Sequence, residues 1–220
     1  MAGKAGFGID RERAEALAGE VAQAAATGVQ LGLVIGGGNF FRGVAAAAKQ
    51  MDRVTADHMG MLATVINALA FKDTLDKLGV PARVMSAIAM PQVAETYVRD
   101  RAVRSLENGR VLIFAGGTSN PYFSTDTAAA LRALEIGAGV MAKATQVDGV
   151  FDKDPRKHPD ATMFPEISYN QVLERSLGVM DATSVAMCRD NRLAIVVFNL
   201  NVAGNIVRMS MGDPIGTLIH

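Results

Sequence analysis

The sequence holds one cysteine, Cys188, and three histidines, His58, His158 and His220. A single thiol excludes an internal disulfide and suits a reducing compartment, so a cytoplasmic location is expected. Between Met187 and Arg189, Cys188 reads as a small buried hydrophobe rather than a nucleophile. With so few soft ligands there is no H-E-x-x-H, no C-x-x-C and no zinc cluster, and no tightly held protein-ligated metal is expected. An excess of one charge is missing too: 22 basic residues balance 22 acidic ones without a like-charge block, which argues against a general nucleic-acid or anionic-membrane surface. Long apolar runs are also lacking. The longest, around Met61 to Phe71, is interrupted by Thr64 and Asn67, and the first ten residues contain no apolar targeting core, so no segment is expected to enter a membrane.

What is present is a chain of 220 residues, about half of them apolar, enough for a substantial core. Helical and strand-like periodicities alternate. Asp10 can cap a helix through Arg11, Ala14, Leu17, Val21 and Ala25 to Gly28, and an apolar strand follows at 29–35. Further helices are expected at 57–78, between Val93 and Asn108, at 125–136, near 169–177 and at 182–190. Strands are expected at 81–86, 110–115, 140–144, 194–199 and near the end. Nearly all-apolar strands separated by helices predict an α/β fold, a three-layer α/β/α sandwich around a mainly parallel sheet. With no linker and no fixed-period repeat, residues 1–220 read as a single domain. Ligands in such sheets bind where loops leave the carboxyl ends of strands.

The first such loop is Gly36-Gly37-Gly38-Asn39-Phe40-Phe41-Arg42-Gly43. Adjacent glycines let backbone N–H groups approach an anion, and Arg42 can place a planar pair of donors on a phosphate. Two common phosphate motifs fail. Gly38 and Gly43 have the P-loop spacing, but Val44 and Ala45 follow instead of Lys and Ser or Thr. The dinucleotide fingerprint needs glycine where Phe41 stands.

The second loop, Gly116 to Asp126, is rich in hydroxyls. Thr118, Asn120, Ser124 and Thr125 can offer directional donors and acceptors to a polar ring or phosphate, with Tyr122 and Phe123 as walls. Asp126 is either a helix N-cap, a role Thr125 could also fill, or a carboxylate that balances charge beside a transferring phosphoryl group. The third loop runs from Thr145 to Pro155. Its acid spacing is not that of an EF-hand, and it reads either as a surface Asp-Gly turn or as a nucleotide clamp with Phe151 against a base and Asp154 on a ribose hydroxyl. Asp57, expected at the start of the second helix, is either its N-cap or an acceptor for a sugar hydroxyl.

Four segments in order, Val-Ile-Gly-Gly-Gly-Asn-Phe-Phe-Arg-Gly at 34–43, Asp-His-Met-Gly-Met-Leu-Ala-Thr at 57–64, Gly-Thr-Ser-Asn-Pro-Tyr-Phe-Ser-Thr-Asp at 117–126 and Lys-Ala-Thr-Gln-Val-Asp-Gly-Val-Phe-Asp-Lys-Asp-Pro at 143–155, closely resemble the bacterial uridylate kinases of the amino acid kinase superfamily. The resemblance implies phosphoryl transfer from ATP to UMP in pyrimidine nucleotide biosynthesis, with Mg2+ carried mainly by the nucleotide. It places UMP against Gly37, Asp57 and the loop Thr118, Ser119, Asn120, Pro121, Tyr122, Phe123, Ser124 and Thr125. ATP is placed against Gly38, Arg42, Thr145, Phe151 and Asp154. Arg42, Asp126 and Lys143 are the catalytic expectations, Lys143 alternatively forming a structural salt bridge. The resemblance also implies a homohexamer with GTP and UTP as effectors. Family members begin with a strand bearing a Lys-x-Ser-Gly-Glu motif, and this sequence starts just after the place where that motif would end. Two alternatives follow: a uridine-nucleotide-binding regulator without turnover, and another small-molecule kinase of the superfamily.

Overall fold

The structure is a computed structural model that describes residues 6–41 and 51–220. It divides into two compact units, Met1–Ala128 and Ala129–His220. The elements of the first are α1 (Arg11–Ala26), β1 (Gly32–Val34), α2 (Arg53–Lys77), β2 (Ala82–Ser86), β3 (Glu95–Thr96), α3 (Arg99–Glu107) and β4 (Val111–Ala115). Helix α4 (Thr125–Glu135) runs across the boundary. The second unit continues with β5 (Met141–Thr145), β6 (Val150–Phe151), β7 (Met163–Phe164), β8 (Glu166–Ile167), α5 (Tyr169–Glu174), α6 (Ala182–Asp190), β9 (Ile195–Asn199), α7 (Asn205–Ser210) and β10 (Thr217–Ile219).

In the first unit the strand order is β1-β4-β2-β3, parallel throughout. All five residues of β4 are buried, so both faces of this strand are covered, as its unbroken apolar run requires. Helix α1 packs on α2, α2 packs on β2 and β4, and α3 packs on β4. In α1 the buried residues Ala14, Leu17, Ala18, Val21 and Ala24 fall at helical spacing, and Asp10 caps the helix by accepting from Arg13 N at 3.0 Å. The strand expected at 29–35 pairs only over Gly32–Val34 and lies at the sheet edge.

Helix α2 begins earlier than the sequence suggests. Its N-cap is Asp52, whose Oδ1 accepts from Thr55 N and Oγ1 at 2.9 Å each. Asp57 therefore sits inside the helix and is not its cap, which leaves its carboxylate available for other contacts. Among the described helices α2 alone is long and apolar enough to cross a membrane by length and composition. Its interrupting residues Thr64 and Asn67 are nonetheless buried and hydrogen-bonded inside the first unit, the arrangement expected of a core helix in a folded domain.

In the second unit the strand order is β5-β9-β10-β8, parallel except for β10 against β9, and β6 and β7 form a separate antiparallel pair. The fold is thus mixed α/β with mainly parallel pairing. Helix α6 follows its expected bounds, capped by Asp181, which accepts from Ser184 N at 3.0 Å. Helix α5 stops at Glu174 rather than near 177.

Met141, Val185, Cys188, Ile195, Val197 and Ile219 form the centre of the second core. Cys188 is fully buried with Sγ 3.9 Å from Met141 Sδ, and burial pushes its thiol up from 9.0 to about 11. The unfolded chain releases this proton first as pH rises, so the group leaves stability unchanged below about pH 9 and lowers it progressively from 9 toward 11. The melting temperature is expected to fall across that window, with a shallower fall in Cys188→Ala. The folded chain is expected to resist thiol reagents at pH 7 until urea exposes the residue.

Candidate active site

The glycine-rich loop leaves β1 and turns directly against α2. A Cβ on Gly37 would lie 2.4 Å from Gly60 O and 2.8 Å from Ala63 Cβ, so glycine is required here by the close approach of the helix. Gly37 O accepts from the N–H groups of Phe40 and Phe41 at 3.0 Å, which closes the loop into a turn. Gly37 is buried whereas Gly38 is exposed.

Two asparagines hold this turn. Asn67 of α2, fully buried, donates from Nδ2 to Gly36 O at 2.7 Å and exchanges amide hydrogen bonds with Asn39: Asn67 Nδ2 to Asn39 Oδ1 at 2.5 Å and Asn39 Nδ2 to Asn67 Oδ1 at 2.9 Å. Asn39 also bonds the backbone of Gly8 in both directions. Sequence reasoning missed this pair, taking Asn67 only as a break in an apolar run. The available signal was a lone amide on a core-facing helix surface, which must find a partner when buried.

The second loop is anchored on the same helix. Gly116, at φ +76°, donates its N–H to the buried Thr64 Oγ1 at 2.8 Å. Asp57 lies further toward the loop tip, its side chain 12% exposed. Its Oδ2 accepts from Tyr122 N at 2.8 Å and from Arg53 Nε at 2.7 Å, while Oδ1 takes no hydrogen bond among the described residues. The Arg53 guanidinium also covers the Tyr122 ring, 5.2 Å from its centroid.

Within the loop Thr118 and Asn120 bond each other at 3.2 Å, and Ser119 and Tyr122 take φ values of +65° and +71°, uncommon for residues with a side chain. Tyr122 and Phe123 are exposed. Ser124, not Thr125 or Asp126, caps α4: its Oγ accepts from Asp126 N at 3.0 Å and Thr127 N at 3.1 Å. Thr125 faces the glycine loop, its Oγ1 3.4 Å from where a Gly36 Cβ would stand. Asp126 occupies the first turn of α4, where a carboxylate is favoured by the helix dipole. Gly37, Asp57 and Tyr122 thus meet on α2 and Thr125 lies against Gly36, whereas Arg42 and Gly43 lie outside the described residues.

In the second unit Lys143 and Thr145 sit two apart on β5 and so share a face, with Lys143 in register with Val197. Thr145 Oγ1 donates to Val147 O at 2.7 Å and accepts from Val147 N at 3.1 Å, which turns the chain out of the strand. Phe151, on β6, pairs with Met163 of β7, a hairpin the sequence reading lacked. Asp154 follows, its Oδ1 accepting from Arg156 N at 3.0 Å and Oδ2 lying 4.0 Å from Lys157 Nζ. Arg156 Nη2 reaches Gln146 Oε1 at 3.0 Å and so ties this turn back to the end of β5.

Away from these loops, Arg83, Arg101, Arg104 and Arg110 line a recess of about 250 Å³ with Ser105 and Asn108. Arg83 is paired there with Glu95 at 3.3 Å.

These features, glycine-rich and hydroxyl-rich loops at the carboxyl ends of parallel strands, match those of a known class. The sequence model of the amino acid kinase family matches residues 3–199, and the chain belongs to that family. It is therefore of the kinase class of transferases. It is similar to the crystal structure of UMP kinase from Bacillus anthracis, with 38% identity over 100% of this chain and 91% of that one and a TM-score of 0.96. UMP kinase from Ureaplasma parvum is 36% identical over 96% and 90% of the two chains, with a TM-score of 0.90. Uridylate kinase from Archaeoglobus fulgidus is 26% identical over 96% and 94%, with a TM-score of 0.76.

Proposed function

We propose that this protein transfers the γ-phosphoryl group of MgATP to UMP, giving ADP and UDP, in cytoplasmic pyrimidine nucleotide synthesis. The observation that carries this reading is Asp57, whose Oδ2 is tied to the Tyr122 N–H while Oδ1 takes no hydrogen bond among the described residues beside the hydroxyl-rich loop. A carboxylate oxygen so placed accepts from a ribose hydroxyl, and Thr118, Asn120 and Ser119 offer amide and hydroxyl groups to uracil and phosphate. The names of similar solved structures point to the same acceptor.

In this reading ATP is held by Gly38, Arg42, Thr145, Phe151 and Asp154, and Mg2+ enters on its phosphates. Bound magnesium would neutralise phosphate charge. Phosphoryl transfer otherwise needs mainly positioning and charge compensation. Lys143 and Arg42 supply positive charge to the moving group, and Asp126 orients or balances it. GTP and UTP are proposed as effectors. A homohexamer is proposed as the working assembly.

A coupled ADP-release assay with MgATP and UMP, CMP or aspartate tests this reading. Turnover is expected with UMP well above the other acceptors. Arg42→Ala is expected to reduce UMP turnover by roughly 10²-fold or more, the usual cost of removing one charge-stabilising donor. Equal turnover with aspartate would redirect the assignment within the family, and an unchanged rate in Arg42→Ala would remove that residue from the site.

A further inference from the structure

The contacts around Asp57 assign a role to a residue that neither the motifs nor the proposed chemistry uses. We infer that Arg53 is a positioning residue for the phosphoryl acceptor: it fixes the Asp57 carboxylate with Oδ1 directed to the ligand and clamps the Tyr122 turn over it. This inference rests on the proposal that the Asp57 loop binds a nucleoside monophosphate.

Both protein donors, Arg53 Nε at 2.7 Å and Tyr122 N at 2.8 Å, converge on Oδ2. Without a fixed donor on one side, the two oxygens of an aspartate exchange by rotation about its last torsion, and neither has a set direction. Arg53 lies one helical turn before Asp57, the spacing at which side chains of α2 meet, so it can restrain that rotation. Tyr122 alone is a poor restraint because its own backbone is held at φ +71° in an exposed loop. Arg53 acts on that residue as well, since its guanidinium covers the Tyr122 ring at 5.2 Å. One side chain thus holds the carboxylate through Nε and the loop tip through its planar face. Lysine cannot reproduce this combination, because it has neither a donor part-way along the chain nor a planar group.

Other ion pairs on the same helix lack this arrangement. Lys77 and Asp73 have the same four-residue spacing, with both side chains about two-thirds exposed. Loss of such a pair is a near-neutral surface change.

The test compares Arg53→Gln, Arg53→Lys and Lys77→Gln with the native protein, using steady-state kinetics and backbone amide exchange of the ligand-free chain. Arg53→Gln is expected to raise KM for UMP about tenfold, the equivalent of one good hydrogen bond, while KM for ATP stays within about twofold. Arg53→Lys should remain about threefold or more above the native value, and Lys77→Gln should match it. Exchange at the Tyr122 amide should quicken by about tenfold in Arg53→Gln, with exchange in α1 and β4 unchanged. A native KM for UMP in Arg53→Gln, full recovery by Arg53→Lys, or an unaltered Tyr122 amide would each overturn the inference. A native protein that does not phosphorylate UMP would instead overturn the proposed function, and the amide exchange would still decide whether Arg53 clamps the loop.

Discussion

Alanine in place of Gly37 is expected to cost about 3 kcal/mol of stability and most of the activity, although it adds one methyl group. The cause is space rather than backbone conformation. The new Cβ would stand 2.4 Å from Gly60 O, 2.8 Å from Ala63 Cβ and 3.1 Å from Thr64 N, all on α2. Two of these are backbone atoms of a long core helix, so they cannot move aside as the end of a flexible side chain would. The glycine loop must lift away from the helix, and this pulls Gly36 O from the buried Asn67 amide at 2.7 Å. An overpacking cost near the top of the usual range corresponds to a fall in melting temperature of roughly 6–12 °C for a chain of this size. Gly60→Ala is the matched control. A Cβ at Gly60 meets nothing within 4 Å, so alanine there should be neutral or stabilise the helix by up to about 1 kcal/mol. Calorimetry of the two variants checks the claim, and equal melting temperatures would refute it.

Asp57→Ala is expected to lower kcat/KM for UMP by about 10²- to 10³-fold with little change in stability. The substitution removes the acceptor proposed for the ribose and releases Tyr122 N and Arg53 together. Hydrogen bonds to a charged group contribute about 1.5–3 kcal/mol each, and a tenfold rate change is about 1.4 kcal/mol, so one direct contact plus loss of loop placement gives this range. Stability should move by less than about 1 kcal/mol, because Arg53 is partly solvated and such pairs contribute little. Asp57→Asn retains an acceptor oxygen and the side-chain shape, so its loss should be smaller. If both variants retain native kcat/KM for UMP, the acceptor lies elsewhere.

The elements that can be read from the chain are those in which one local signal decides. Helix α1 could be read from the Asp10 cap and the spacing of Ala14, Leu17 and Val21. The start of α2 is ambiguous in sequence because two aspartates compete for the cap. Asp52 wins through Thr55, which offers both its N–H and its hydroxyl, and no spacing rule distinguishes that from a cap at Asp57. The reversed direction of β10 and the short strands β3, β6, β7 and β8 depend on long-range pairing with little local pattern.

For the site, the motifs drew attention to Gly37, Asp57 and the loop from Thr118 to Thr125 because glycine and hydroxyl-rich turns are distinctive in sequence. The residues that hold those motifs were not visible. Arg53 looks like any surface arginine before a helical run, and Asn67 looks like a flaw in an apolar stripe. Their roles arise from contacts to Tyr122, 69 positions after Arg53, and to Asn39, 28 positions before Asn67.

The most direct test of the central claim is to follow phosphorus by NMR in a mixture of the intact protein, MgATP and UMP. The γ-phosphate signal of ATP is expected to decline in step with the growth of the β-phosphate signal of UDP, with no free phosphate accumulating. Binding of UMP without any UDP, or ATP loss that yields only inorganic phosphate, would contradict it and leave a nucleotide-binding protein that does not transfer the phosphoryl group.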